Sequence, residues 1–403
     1  MEHIKLSSYA LLAMIGLAFT ACDLVEDADD LLNESSKELP CDYFSSGENR
    51  ILTDDPDEAV DYIISCRTFV NTDLVIEPGV VIEFQDNAGL EIGEAGSISA
   101  VGTKEKPITF TGVTKTAGAW SGVLVESNDI KNELRYVNVS YGGGEAFNSN
   151  GNRANLILWA DTRLSIDDCT FSHSASYGIE MDYQNYTIPS FTNNTLTDNE
   201  TPIYTQPAIV HVFDASSQYS GNTNDHIVIG CAELTTGDYT WNKLDVPFRV
   251  VATGFGIRRW TEVPDQCNLV LVPGVIIEFD TDTGLRINKG GSLKARGTNS
   301  DNILFTGVDQ GTGAWRGIYF NFTQSINNQL NKCIIEYAGS GDDKAGVLMW
   351  ANPKVIVTNT IFKDIDGCGF LDMPESTGVF DNPNLNESNN TFQNISGGNF
   401  CAD

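Results

Sequence analysis

Hydrophobic residues along this chain alternate with polar ones in short runs of four to six, and almost nowhere recur at helical spacing. Leu74–Ile76, Val80–Phe84, Leu90–Ile92, Ile108–Val113 and Gly122–Val125 follow one another, separated by Gly, Asn, Asp and Thr. Those four residue types tolerate tight or left-handed turns. Period-two runs with such punctuation predict an all-β chain. The same series returns as Leu269–Val272, Val275–Phe279, Leu285–Ile287, Ile303–Val308 and Gly317–Phe320.

The second series copies the first. Pro78 to Val125 aligns without a gap on Pro273 to Phe320, a shift of 273 − 78 = 195, and 23 of the 48 pairs are identical. The retained positions are mostly apolar or glycine, among them Leu90/Leu285, Phe110/Phe305, Trp120/Trp315 and Gly122/Gly317. The changed ones are mostly polar: Glu91 against Arg286, Ser99 against Lys294, Ser121 against Arg316. Copying an active site would keep its charged groups. Copying a scaffold keeps core and turns, and that is the pattern here.

A sandwich, a propeller and a solenoid all accommodate such strands. Their shortness and the Gly/Asn turns favour a solenoid, in which no coil buries its apolar side alone and stacking supplies the core. Ser165-Ile166-Asp167-Asp168-Cys169-Thr170-Phe171 and Val355-Ile356-Val357-Thr358-Asn359-Thr360-Ile361-Phe362 read as coils of this kind. The landmarks PGVVIEF, GLEIGEAGSISAVGT, PITFTG and GAWSGV, with their second-copy counterparts, resemble pectin-lyase-like surface and secreted proteins of bacteria. The resemblance covers about residues 66–230 and 260–400. It implies a right-handed parallel β-helix and says little about activity. Two units are expected, 41–230 and 231–403, with the stretch from Asn194 to Gln266 matching the repeat poorly. Whether they form one continuous solenoid or two abutting ones stays open, with continuity favoured.

The first 21 residues read as an export signal: Lys5, an apolar stretch from Tyr9 to Phe19, then small residues. Phe19-Thr20-Ala21-Cys22 is similar to a bacterial lipobox, which makes Cys22 the expected lipidation site; an ordinary secretory signal is the alternative. Residues 22–40 then form an acidic tether, with seven acids and one lysine between Asp23 and Glu38, expected to stay extended by self-repulsion. The implied address is the bacterial outer membrane, on the surface or the periplasmic face. The partner is the membrane itself, through the lipid.

A formal charge of −31 argues against nucleic acid, where Lys and Arg contacts to phosphate dominate affinity. Nine cysteines leave eight after Cys22, an even number that suits an oxidising compartment. Cys41 with Cys66, and Cys231 with Cys267, flank the approaches to the two copies and are expected as disulfides, with Cys368–Cys401 a third. Cys169 and Cys333 fall on strands and are expected as buried thiols.

Candidate chemistry is sparse. Asn71-Thr72-Asp73, Asp167-Asp168 and Arg286-Ile287-Asn288 echo parts of a polygalacturonase site, but no Gly-His-Gly accompanies them, and Asp167-Asp168 reads as a turn. Arg258-Arg259-Trp260 is the densest basic–aromatic spot, either a grip for an anionic sugar or a salt-bridged connector. Asp280-Thr281-Asp282-Thr283-Gly284 has alternating oxygens yet lacks the sixth-position glycine and closing glutamate of a calcium loop. Glu83 and Glu278 should face outward from strands whose apolar residues point in. No catalytic residue, metal or cofactor is assigned. Trp159 and Trp350 also point outward if Leu158 and Met349 point in, and exposed rings on a rigid sheet are platforms for sugar faces. Covering loops at Tyr141–Arg153 and Tyr337–Lys344 are the alternative. Trp120 and Trp315 are expected to pack as structural landmarks. The expected function is therefore a lipid-anchored, non-catalytic envelope protein binding glycan or another envelope component; a divergent polysaccharide lyase or glycoside hydrolase is the alternative. The oligomeric state is unknown.

Overall fold

The computed structural model describes residues 37–45, 47–253, 258–373 and 379–402. Cys22, the expected export signal and nearly all of the expected acidic tether lie outside them. Glu38–Asp403 forms one compact unit.

The strands stack in parallel, coil upon coil. Tyr62–Ile64, Arg67–Val70 and Asp73–Ile76 make three sides of one coil, and Val81–Phe84, Gly89–Ile92 and Ser97–Val101 lie on them in the next. Repetition gives a three-sided parallel β-helix. A 13-stranded sheet runs its length, a 7-stranded and a 6-stranded sheet complete the first half, and two 6-stranded sheets complete the second. The coils alternate as the sequence predicts: Ile82, Phe84, Leu90 and Ile92 are buried, and Glu83 and Glu91 between them face outward.

Continuity across the poorly matching stretch is direct. Ile203 pairs with Ile227, Ile227 with Phe248 and Phe248 with Ile277, so the long sheet passes through it without a break. Phe213, Tyr219 and Trp241 fill the interior there.

The two copies nevertheless sit out of phase. Val81–Phe84 belongs to the 7-stranded sheet, but its duplicate Ile276–Phe279 belongs to the long sheet. Gly89–Ile92 belongs to the long sheet, while its duplicate Gly284–Ile287 lies on the last 6-stranded one. Every strand of the second copy is one face further round. Coil length explains it: Leu90 pairs with Val123 (123 − 90 = 33) but Ile203 with Ile227 (227 − 203 = 24), so 195 residues need not return the chain to the same face.

The duplicated landmarks keep one geometry. Trp120 stacks on Phe84 at 4.1 Å and 10° between planes, and Trp315 on Phe279 at 4.2 Å and 5°. Both indoles are fully buried, and each Nε1 donates to a backbone carbonyl at 2.8 Å, of Ser140 and of Glu336. Asn132 and Asn328 are a second retained pair. Each is buried, and its Oδ1 accepts from the backbone N–H of Ile98 (2.9 Å) or Leu293 (3.0 Å). These contacts satisfy donors that the turning chain leaves unpaired.

Two of the three expected disulfides are present, Cys41–Cys66 and Cys368–Cys401. The third is corrected: Cys231 and Cys267 are free and buried, like Cys169 and Cys333. The bridges that form join neighbouring coils. Cys231 instead donates its N–H to Val251, whereas Cys267 lies in register with Gly237, so the two never stack. Burial pushes all four thiols up to about 12, which leaves them protonated and unreactive.

Candidate functional site

The outer face of the long sheet carries two adjoining rows of side chains. One runs Glu91, Leu124, Ile157, Glu180, Tyr204 across successive strands. Beside it, one residue past the aligned Val125, Leu158 and Met181, stand Glu126, Trp159 and Asp182. Neighbouring strands lie about 4.8 Å apart, so these three groups sit one coil from each other.

Leu158 and Met349 are fully buried, and Trp159 and Trp350 point outward as alternation requires. Neither ring is bare. Trp159 is half-buried against Tyr183, edge to face at 4.7 Å. Trp350 is half-buried over Leu348, Leu371 and Met373, with Phe322 at 6.4 Å. The phase offset places Trp159 beside the long sheet and Trp350 on the last 6-stranded one, so the two form no common platform.

Next to Trp159, the loop 147–153 folds back onto the sheet. Phe147 covers Leu124 and Ile157. A Cβ on Gly89 would lie 2.7 Å from that ring, so glycine makes the room. Arg67 pins the loop by donating to the carbonyls of Phe147 (2.9 Å) and Ala146 (2.8 Å). Glu180 holds its other end. One oxygen accepts from Asn152 Nδ2 and the other from the Arg153 N–H, both at 2.6 Å.

Burial raises the Glu180 carboxyl to about 7, against partial relief from those two donors. A value near neutrality suits a general acid, yet both oxygens are already committed to the loop. The side chain is a loop anchor. The sign of its pH effect follows: folding favours the protonated form, so the stability it contributes is present below about pH 4.5 and lost as pH rises through about 7. Glu180→Gln cannot titrate. Wild type should gain roughly 3 kcal/mol relative to that variant as pH falls from 7.5 to 4.5, read as the difference between their urea midpoints. A pH-independent difference would remove the anchor argument.

Beyond Tyr183 an open cleft of about 810 Å³ is bordered by Asp182, Tyr204, Gln206, Thr253 and Arg258. Asp182 accepts from Gln206 Nε2 at 3.0 Å, and burial raises its carboxyl pKa. Tyr204 stands 5.5 Å from Tyr177, and burial, with Asp182 nearby, raises its hydroxyl. Tyr177, Glu126, Asp182, Tyr183 and Tyr204 were not singled out from sequence. A signal existed: Ile179 and Met181 point inward, which forces Glu180 and Asp182 out.

The remaining sequence candidates resolve into scaffold. Asp282 is shared by Arg259 and Arg316, the latter at 2.8 Å, and accepts from Ser340. Its carboxylate neutralises arginines, and Arg259 is a salt-bridged connector. Trp260 lies over Gly284 with Arg286 at 4.6 Å from its ring centre. Asp167 ends the strand Ser165–Asp167 and accepts from Ser190 Oγ and from the N–H and hydroxyl of Thr192, while Asp168, at φ 55°, turns the chain just after it. Glu83 and Glu278 face outward and are ion-paired, with Lys115 at 2.8 Å and Arg249 at 2.7 Å. Among the described residues no group of three His, Cys, Asp or Glu is arranged to hold a metal. No family model, curated protein or solved structure matches this chain.

Proposed function

We propose that this chain is a lipid-anchored, exported bacterial envelope protein whose β-helix binds a glycan on the outer face of the long sheet and catalyses no reaction. The lipobox-like Phe19–Cys22, the acidic tether and the landmarks shared with pectin-lyase-like surface proteins support the address. One observation carries the binding reading: Tyr183, whose ring meets Trp159 edge to face, lines an open cleft edged by Asp182, Tyr204 and Gln206. Flat apolar rings next to convergent hydrogen-bonding groups on an unyielding sheet match the two faces of a sugar, one of C–H and one of hydroxyl. The carboxylates there argue against turnover, because Glu180 is held by the loop and Asp182 by Gln206.

A glycan array probed with the full chain tests this. At least one glycan should bind, and Trp159→Ala should weaken it about tenfold or more, the loss of one stacked ring with its buried area. Trp350→Ala, on another face, should leave binding unchanged. An array without hits, or equal loss from both variants, would sink the reading. Release of reducing ends or unsaturated products from a bound polysaccharide would replace it with the lyase or hydrolase alternative.

A further inference from the structure

We propose that the coil Leu385–Ala402, at one end of the solenoid, is an interface for a second copy of this chain. The two copies stack end to end about a two-fold axis and close as a dimer.

The two ends of the coil stack differ. At the first, the inward residues Leu39, Leu52, Ile64 and Val70 are buried. Residues 40–45 close it: Cys41 is bridged to Cys66, Thr68 donates to the Cys41 carbonyl at 3.2 Å, and the Phe44 ring is buried. At the other end lie Leu385–Ser388, Thr391–Ile395 and Gly398–Ala402, each paired with the coil before it and, among the described residues, with no strand beyond. Leu385, Phe392, Ile395 and Phe400 stand in register with Val355, Phe362, Ile365 and Phe370. Those four partners are buried, whereas Leu385, Phe392 and Ile395 are half-buried and Phe400 is 41 % exposed, although Phe380 meets its ring edge to face at 5.1 Å. Phe362 lies 5.1 Å from Phe392 at 16°, and Phe370 5.4 Å from Phe400 at 12°. The aromatic column of the interior thus runs out onto the end face. A solenoid needs a terminal cover there, and open strand edges recruit another strand.

Charge selects the cover. Residues 385–402 hold one charged side chain, Glu387, in a chain of net charge −31. Exposed positions there carry amides and hydroxyls instead, among them Asn386, Ser388, Thr391 and Gln393. Each amide has both donor and acceptor, so it matches its own copy. Side-to-side contact between two such acidic molecules is repulsive, whereas these ends meet with little charge between them. The closed first end presents no bare coil to receive the open one. Stacking therefore runs open end to open end and closes as an isologous pair rather than growing into a filament. The sense of the coil fixes the register. Turning one copy over about an axis through Thr391–Ile395 lays that strand antiparallel on itself, and Leu385–Ser388 on Gly398–Ala402 of the second copy. Glu387, which takes the inward position of Val357 and accepts from Asn390 at 3.1 Å, then stays on a separate edge from its counterpart. Gln393, exposed at the centre of its strand, meets its own copy at the axis.

Sedimentation velocity of the full chain should show monomer passing to twice its mass across about 1–100 µM. Gln393→Lys sets like charges opposite each other and should weaken the dimer about tenfold or more. Gln393→Cys should give a covalent dimer on oxidation with added diamide. Ile51→Cys, 60 % exposed on a strand at the closed end, should not. A monomer at every concentration overturns the proposal, and so does a mass that climbs past the dimer. A dimer indifferent to Gln393→Lys and not crosslinked through Gln393→Cys uses another face and overturns it as well. The wild-type concentration series decides between monomer and dimer even if a variant fails to fold.

Discussion

Trp315→Ala should lower the unfolding free energy by about 3–5 kcal/mol, the range for removing a large ring from a packed interior. The indole is fully buried and lies 4.2 Å from Phe279 at 5° between planes. Its loss leaves a cavity in a region where neighbouring coils cannot collapse without breaking their ladders. It also strands the Glu336 carbonyl, which accepts from Nε1 at 2.8 Å. Trp315→Phe keeps most of the apolar area and loses the hydrogen bond, so it should cost about 1–3 kcal/mol. The first copy supplies an internal replicate: Trp120 has the same stack and the same carbonyl contact, and Trp120→Ala should match within about 1 kcal/mol. Urea midpoints with their slopes give both values. A loss below about 1 kcal/mol at either site would show that the stack contributes little and that its duplication has another cause.

The alternation of apolar and polar residues made the coils legible, because inward and outward positions follow from a period of two. The duplicated Trp-x-Gly landmark was legible for the same reason: both its residues are held by local packing that a copy must reproduce. The phase between copies was not. It depends on the summed lengths of coils whose corners accept insertions such as residues 141–153, and no local pattern reports that sum. Trp159 and Trp350, equivalent in sequence, therefore lie on different faces. The same blindness produced the Cys231–Cys267 expectation, since flanking a repeat says nothing about which corner a residue occupies. The candidate site is a convergence of Glu126, Trp159 and Asp182 from three successive coils, distant in sequence and adjacent only because the coils stack. Asn132 and Asn328 escaped notice because they lie just beyond the ungapped alignment, although their buried contacts are among the most faithfully copied.

Gly122→Ala and Gly317→Ala should each cost about 2–5 kcal/mol, from two additive terms. The backbone is in the left-handed region, φ +106° at Gly122 and +96° at Gly317, where a side chain costs roughly 1–2 kcal/mol. The second term is collision. A Cβ on Gly122 would lie 2.1 Å from the carbonyl oxygen of Ala154, and one on Gly317 2.4 Å from that of Ala345. Those oxygens belong to the next strand of each sheet and cannot retreat without opening the ladder, so overpacking adds about 1–3 kcal/mol. Gly47 separates the terms. Its φ is +76°, but a Cβ there would meet nothing within 4 Å, so Gly47→Ala carries only the backbone cost. Urea unfolding of the three variants should place Gly47→Ala nearest wild type and the other two well below it. If all three shift equally, close approach of successive coils is not what kept these glycines through the duplication, and backbone conformation alone suffices.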